Sequence, residues 1–230
     1  MAYIGIIVAM EEELEAVLHF AENIEKEEIR EVQFIKCNIK GKKCVIAKSG
    51  VGKIHAARVT QIMIYEFKPM YIVNVGVAGG LNNNLKVGDV IISKNVVQHD
   101  FDITAFGHSK GYVPSVGNDV KADERLIHEF EQEINSTPER QYQIKLGTIA
   151  SGDIFCTKIE MKDKIYAKFS ADVVDMECGA IAQVCYLEKI PFIGIRSVSD
   201  IPNERNVNTY NENLKLAAKR CASVLKECLI

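Results

Sequence analysis

The 230-residue sequence has no tryptophan, only five prolines and no surplus of basic charge: 28 lysines and arginines stand against 31 aspartates and glutamates, a formal net charge of −3. A nucleic-acid binder usually carries a basic face and an isoelectric point above about 9. The value here is near 6.0, so nucleic acid is not expected as a partner. No apolar run approaches the roughly 18 residues that a membrane helix needs, so no membrane span is expected. The run Ile4 to Ala9 lacks a basic flank and passes straight into Glu11-Glu12-Glu13, which reads as a buried strand and not a secretory signal. The seven cysteines are odd in number and scattered, with no CxxC pair and no Cys/His group at zinc spacing. That excludes a disulfide framework and a zinc site, and predicts reduced thiols in a cytoplasmic protein.

What remains is the composition of a soluble globular protein, 47% hydrophobic and 26% charged. The length suits one or two domains and provides for a large core. No linker or repeat divides the chain, so residues 1–230 are read as a single domain.

Hydrophobic spacing then outlines the elements. Ile4 to Ala9 is a strand, followed by a helix carrying Met10, Leu14, Val17, Leu18 and Ala21. Glu31 to Lys48 reads as a hairpin turning at Gly41-Lys42. Ser49-Gly50-Val51-Gly52 leads into a helix with Ile54, Ala57, Met63 and Phe67 on one face, stopped by Pro69. Tyr71 to Val75 and Val90 to Ile92 are strands, the first followed by a glycine loop, Gly76 to Gly80. Gln98 to Val120 lacks periodicity and reads as a long loop, of the kind that is usually functional or lies at an interface. A helix at Lys121 to Asn135, a strand at Ile144 to Ala150, a short helix near Lys158 and a strand at Val173 to Met176 follow. A helix at Gly179 to Leu187, a strand at Phe192 to Val198 and a last helix from about Asn208 to Cys228 complete the chain. Alternating strands and helices predict an α/β fold, a three-layer α/β/α sandwich around a mixed, largely parallel sheet.

In such folds ligands bind beyond the carboxyl ends of the strands. There the sequence places Glu11-Glu12-Glu13, the Gly76 to Gly80 run, Gly152-Asp153-Ile154-Phe155, Asp175-Met176-Glu177 and Ser199-Asp200. Each has a plain structural reading as well. Three glutamates at a helix start complement the macrodipole, Met176 could be core, Asp200 could be a cap, and glycines outside a GxGxxG pattern are a weak phosphate signal. Carboxylates at three separate strand ends are harder to dismiss, because buried like charges are costly without a task. Such a site can stabilise a developing cation and activate water, as cleavage of a glycosidic bond requires. A purine leaves once its N7 is protonated, and Phe155 offers a ring on which the base could stack.

At these residues the chain resembles the bacterial 5'-methylthioadenosine/S-adenosylhomocysteine nucleosidases of the nucleoside phosphorylase superfamily. The matching stretches run in order from Ile4-Gly5-Ile6-Ile7 and Ala9-Met10-Glu11-Glu12-Glu13 through Lys48 to Lys53, Asn74 to Gly80, Leu85 to Asp89 and His99 to Gly107. Ser151 to Phe155, Val174 to Glu177 and Arg196 to Asp200 complete them.

The resemblance implies a nucleoside phosphorylase-like fold and hydrolysis of methylthioadenosine and S-adenosylhomocysteine, with 5'-deoxyadenosine as a further substrate. It implies catalysis without a metal or cofactor. By position, Glu13 resembles the carboxylate that activates water, with Arg196 helping to hold that water, and Asp200 the acid that protonates adenine. Glu177 resembles the ribose ligand and Met176 the side chain under the sugar. Phe155 resembles the stacking ring, with the Cys156 backbone reading the edge of the base. Val77, Ala78 and Gly79 fall in the substrate-binding run, and Val51 and Tyr210 match the 5'-alkylthio pocket. Ile103, Phe106 and Pro114 match residues donated by a neighbouring subunit, which implies a homodimer. Val77 departs from a usual Ser or Thr, Cys156 from an aliphatic residue and Tyr210 from Phe.

Two other functions compete. A phosphorylase would need an arginine and a backbone nest near the first strand, where this chain has three glutamates. A nucleoside-sensing module would not need both Glu13 and Asp200. His99, Asp100 and Asp102 could suggest a metal site, but alternation along a strand would split them between faces, and they are read as a loop network.

Overall fold

The computed structural model describes residues 3–136, 140–203 and 206–229. Its strands are β1 (Ile4–Val8), β2 (Glu22–Ile29), β3 (Val32–Ile39), β4 (Lys42–Lys48), β5 (Tyr71–Gly80), β6 (Val90–Gln98), β7 (Val120–Lys121), β8 (Ile144–Ser151), β9 (Val173–Asp175) and β10 (Phe192–Asp200). The helices are α1 (Glu11–Leu18), α2 (Lys53–Phe67), α3 (Glu124–Ser136), α4 (Ile159–Phe169), α5 (Cys178–Glu188) and α6 (Asn206–Cys228).

The ten strands form one mixed sheet in the order β10-β6-β8-β9-β5-β1-β4-β3-β2, with β7 against β6. A further pairing of β10 with β5 closes half of it. Parallel pairings join β1 to β4 and β5, β5 to β10, and β8 to β6 and β9. The remaining pairings are antiparallel. One apolar cluster packs α1, α3 and α6 on one face of the sheet, and a second packs α2 and α5 on the other. β1 is buried along its whole length, which is why it reads as an unbroken apolar run. All seven cysteines are buried free thiols. Among the described residues, no helix is long and apolar enough to cross a membrane.

Three details differ from the expectations. Strand β2, Glu-Asn-Ile-Glu-Lys-Glu-Glu-Ile, was not foreseen, because it is an edge strand exposed along nearly all its length and shows no apolar face. Charged side chains of this kind keep an edge from pairing with other chains. Gly76 to Gly80 continue β5 instead of forming a loop. In α2 the buried residues include Ala56, Val59, Thr60 and Met63, whereas Ile54 is exposed. The long segment after β6 contains one short 3-10 turn, Thr104–Phe106.

Candidate active site

The carboxyl ends of β1, β5, β9 and β10 open on one cleft of about 720 Å3, counted out to its open mouth. Glu13 stands at its base. It is the third residue of α1, and its carboxylate folds back so that Oε2 accepts the amides of Ala9 (2.8 Å) and Met10 (3.0 Å). Oε1 accepts the amide of Val77 from β5 at 2.9 Å. Its neighbour Glu11 instead faces solvent and pairs with Lys48. Burial pushes the Glu13 carboxyl above its ordinary range, and the nearby Arg196 charge and the three amides oppose that shift. All three protein hydrogen-bond partners are donors, so the ionised form is the one matched to the site. Gly76 makes room for this arrangement: a Cβ there would lie 2.6 Å from Glu13 Oε1 and 3.5 Å from Arg196 Nη1.

Arg196, on β10 opposite Gly76, is buried behind the cleft and does not line it. Its Nε and Nη2 donate to Asp175 Oδ2 at 2.9 and 2.6 Å. Its Nη1 donates to the carbonyls of Asn74 (3.1 Å) and Ile195 (2.9 Å), and Nη2 also donates to Asn74 Oδ1. A guanidinium has five N–H donors, so all are committed inside the protein. The structure therefore departs from the expected placement beside the attacking water and puts Arg196 where its charge acts on Glu13 from behind. Ser151 and the Cys178 amide hold Asp175 in turn.

Asp200 ends β10 and is buried. The register with β5 shifts between Val198 and Asp200. Such a bulge re-aims side chains, and Ser199 and Asp200, adjacent in sequence, both line the cleft. Ser199 Oγ donates to Asp200 Oδ1 at 2.7 Å and Asn206 Nδ2 donates to Oδ2 at 2.8 Å. Burial raises the Asp200 carboxyl, with these two donors opposing.

Glu177 precedes α5, and its Oε1 accepts the Gly52 amide at 2.8 Å. Gly52 has a φ of 99°, a conformation available to glycine at little cost, and this brings its amide to the carboxylate. Burial, then the adjacent Asp175 charge, push Glu177 up to about 8. Phe155 is 40% exposed and meets Tyr210 edge to face, with ring centroids 5.5 Å apart. The Tyr210 hydroxyl donates to Met10 Sδ at 3.0 Å. Met176, Cys156, Val77, Ala78, Gly79 and Val51 complete the predicted set on the walls. Ile103, Phe106 and Pro114 do not line the cleft, and Phe106 is 80% exposed.

Lysine, arginine and histidine are all missing from the residues that line the cleft. Outside it, Asp100 pairs with Lys53 at 2.7 Å and Asp102 accepts from Thr104, leaving His99 buried against Gly152. The roles of Asn74, Asp175, Ser151 and Asn206 in holding the charged groups were not anticipated. No local spacing marks them, although Asn74, Ser151 and Asp175 lie within stretches already singled out.

The family model of the phosphorylase superfamily matches residues 3–230. A Marinomonas protein named 5'-methylthioadenosine/S-adenosylhomocysteine nucleosidase is 36% identical over 230 residues, covering 100% of this chain and 99% of the relative. The chain belongs to this nucleosidase family within the superfamily. The Neisseria meningitidis nucleosidase, solved with methylthio-immucillin-A, superposes with a TM-score of 0.94 at 35% identity, covering 99% of this chain and 98% of that one. The Helicobacter pylori structure described as futalosine hydrolase gives 0.93 at 32% identity, with 99% and 97% covered.

Proposed function

We propose that the chain hydrolyses the N-glycosidic bond of 5'-methylthioadenosine and S-adenosylhomocysteine, giving adenine and the 5-substituted ribose. The observation that carries this reading is the acidic cleft, with Glu13, Glu177 and Asp200 on its walls and no cationic residue among those that line it. Developing positive charge on a ribosyl carbon is favoured there. A phosphate dianion would have to lie against carboxylates, and like charges a few ångströms apart in a partly desolvated site repel by several kcal/mol (~4 at 4 Å). The electrostatics therefore favour water over phosphate as the attacking group.

In the reaction, Asp200 gives its proton to N7 of the base and the C1'–N9 bond breaks with its electron pair on the purine. Water forms the new C1'–O bond and passes a proton to Glu13. Exchange with solvent returns Asp200 to its acid form and Glu13 to its base form. Glu177 holds a ribose hydroxyl, Met176 lies under the sugar, and Phe155 stacks on adenine, whose edge meets the Cys156 backbone. Val77, Ala78 and Gly79 form the floor. Val51 and Tyr210 bound the 5' pocket. Arg196 acts through charge, opposing the rise that burial imposes on Glu13, and each step has a protein group, so no metal or cofactor is invoked.

The same pocket extends the reading to 5'-deoxyadenosine, whose 5' group is smaller. The whole chain acts as a single domain. The half-buried Ile103 and the exposed Phe106 and Pro114 complete the site of a second copy in a homodimer. The enzyme works in the cytoplasm, in methionine salvage and recycling of S-adenosylmethionine by-products. The test is adenine release from methylthioadenosine in phosphate-free buffer. Release unchanged by added phosphate is expected, and release only on adding phosphate would make the protein a phosphorylase.

A further inference from the structure

We propose that Asn206 is a positioning residue that ties the catalytic acid to the segment holding the base. This rests on the function proposed above. Asn206 opens α6 and is fully buried. Its Nδ2 donates to Asp200 Oδ2 at 2.8 Å and to the Cys156 carbonyl at 2.9 Å. Its Oδ1 has no hydrogen-bond partner among the described residues. A backbone carbonyl only accepts, so the amide nitrogen must face Cys156, and the hydrogen-bond network assigns the orientation. With one N–H spent there, the second is directed at Asp200.

The consequence is geometric. Phe155 and Cys156 belong to the segment before α4, whereas Asp200 belongs to β10. One planar amide sets the separation between the ring platform and the proton donor. Burying an amide oxygen without a partner costs stability, and such a cost is tolerated where geometry matters to function.

The two donors to Asp200 also differ. The Ser199 hydroxyl can rotate to accept a proton from Oδ1, with the Ala78 carbonyl 3.3 Å away as its alternative acceptor. Asn206 cannot reverse without losing Cys156. Oδ2 therefore keeps a permanent donor, and the proton is directed to Oδ1.

The titratable groups facing Asp200 are the Cys156 thiol, pushed up to about 11 by burial, and the Tyr210 phenol on α6, also raised by burial. Both stay neutral around pH 7. Glu13 and Glu177 share the cleft from α1 and the start of α5. Burial pushes Glu177 up to about 8, but its hydrogen bond is to Gly52 and not to Asn206.

The experiment compares wild type, N206S and N206D over a pH series with methylthioadenosine, with folding checked by circular dichroism. Serine is well tolerated at helix starts but is too short to span both acceptors. Aspartate keeps the size and turns the donor into an acceptor. N206S should lower kcat by about 10- to 100-fold, the size of a lost hydrogen bond to a charged group, with a smaller change in KM. The alkaline limb should move to higher pH, because the ionised carboxylate loses a donor. N206D should move both readouts further, and if it does not fold, N206S decides alone. Unchanged kcat and an unmoved limb, whatever happens to Tm, would overturn the proposal. Absence of adenine release from wild type would instead overturn the function on which it rests.

Discussion

Two carboxyls of the cleft, Glu13 and Asp200, are held by different means. Glu13 accepts three backbone amides and has a buried guanidinium behind it. Asp200 accepts two side-chain donors, one of them a rotatable hydroxyl, and no cation contributes to its shift. Backbone amides cannot turn into acceptors, so the hydrogen bonds of Glu13 favour its ionised form against the rise that burial imposes. The hydroxyl on Asp200 can turn, so that carboxyl can carry a proton without leaving a polar atom unpaired. Burial raises both carboxyls, and the difference in their partners, fixed amides at one and a rotatable hydroxyl at the other, is what separates a base from an acid here.

The strongest way to break this comparison is to neutralise each carboxyl without changing its shape. Asp200→Asn and Glu13→Gln should each lower turnover of methylthioadenosine by at least about 100-fold, the scale of a lost general acid or base. Steady-state rates near wild type in both variants would remove the division of labour. A smaller effect should come from Gly76→Ala. Its new methyl would lie 2.6 Å from Glu13 Oε1, and backbone on a central strand cannot easily retreat. Displacing a catalytic group by about 1 Å costs up to about 100-fold, and part of that is expected here, with Asp200 unaffected. A thermal melt should show destabilisation of about 1–3 kcal/mol from overpacking. A Gly76→Ala enzyme with full activity would mean that Glu13 does not need the position it occupies.

Much of this site was legible in the sequence, because strand ends in an α/β fold gather residues that are far apart in the chain. Glu13, Phe155, Met176, Glu177 and Asp200 were placed in one cleft on that ground, and all five line it. What could not be read is the layer that holds them. Arg196 carries the charge expected of a site residue, yet its direction depends on Asn74 on the adjacent strand β5 and on Asp175 at the end of β9. Asn206 follows Asp200 by only six positions and has no signature apart from its contacts. The glycines of β5 read as a loop because glycine is common in loops. Here they are strand positions kept bare so that side chains can cross them, as at Gly76 and at Gly80, where a Cβ would meet Ile201 at 2.6 Å. Strand β2 escaped for the opposite reason, since a strand that buries neither face leaves no hydrophobic pattern.

The most direct test of the central claim uses a substrate whose leaving group needs no acid, such as the p-nitrophenyl β-glycoside of 5-methylthioribose. If Asp200 serves only to protonate the base, D200N should hydrolyse it within about 10-fold of the wild-type rate, while E13Q should stay at least about 100-fold slower because water is still not activated. Equal loss in the two variants on this substrate, with wild type active, would contradict the assignment of acid to Asp200 and base to Glu13.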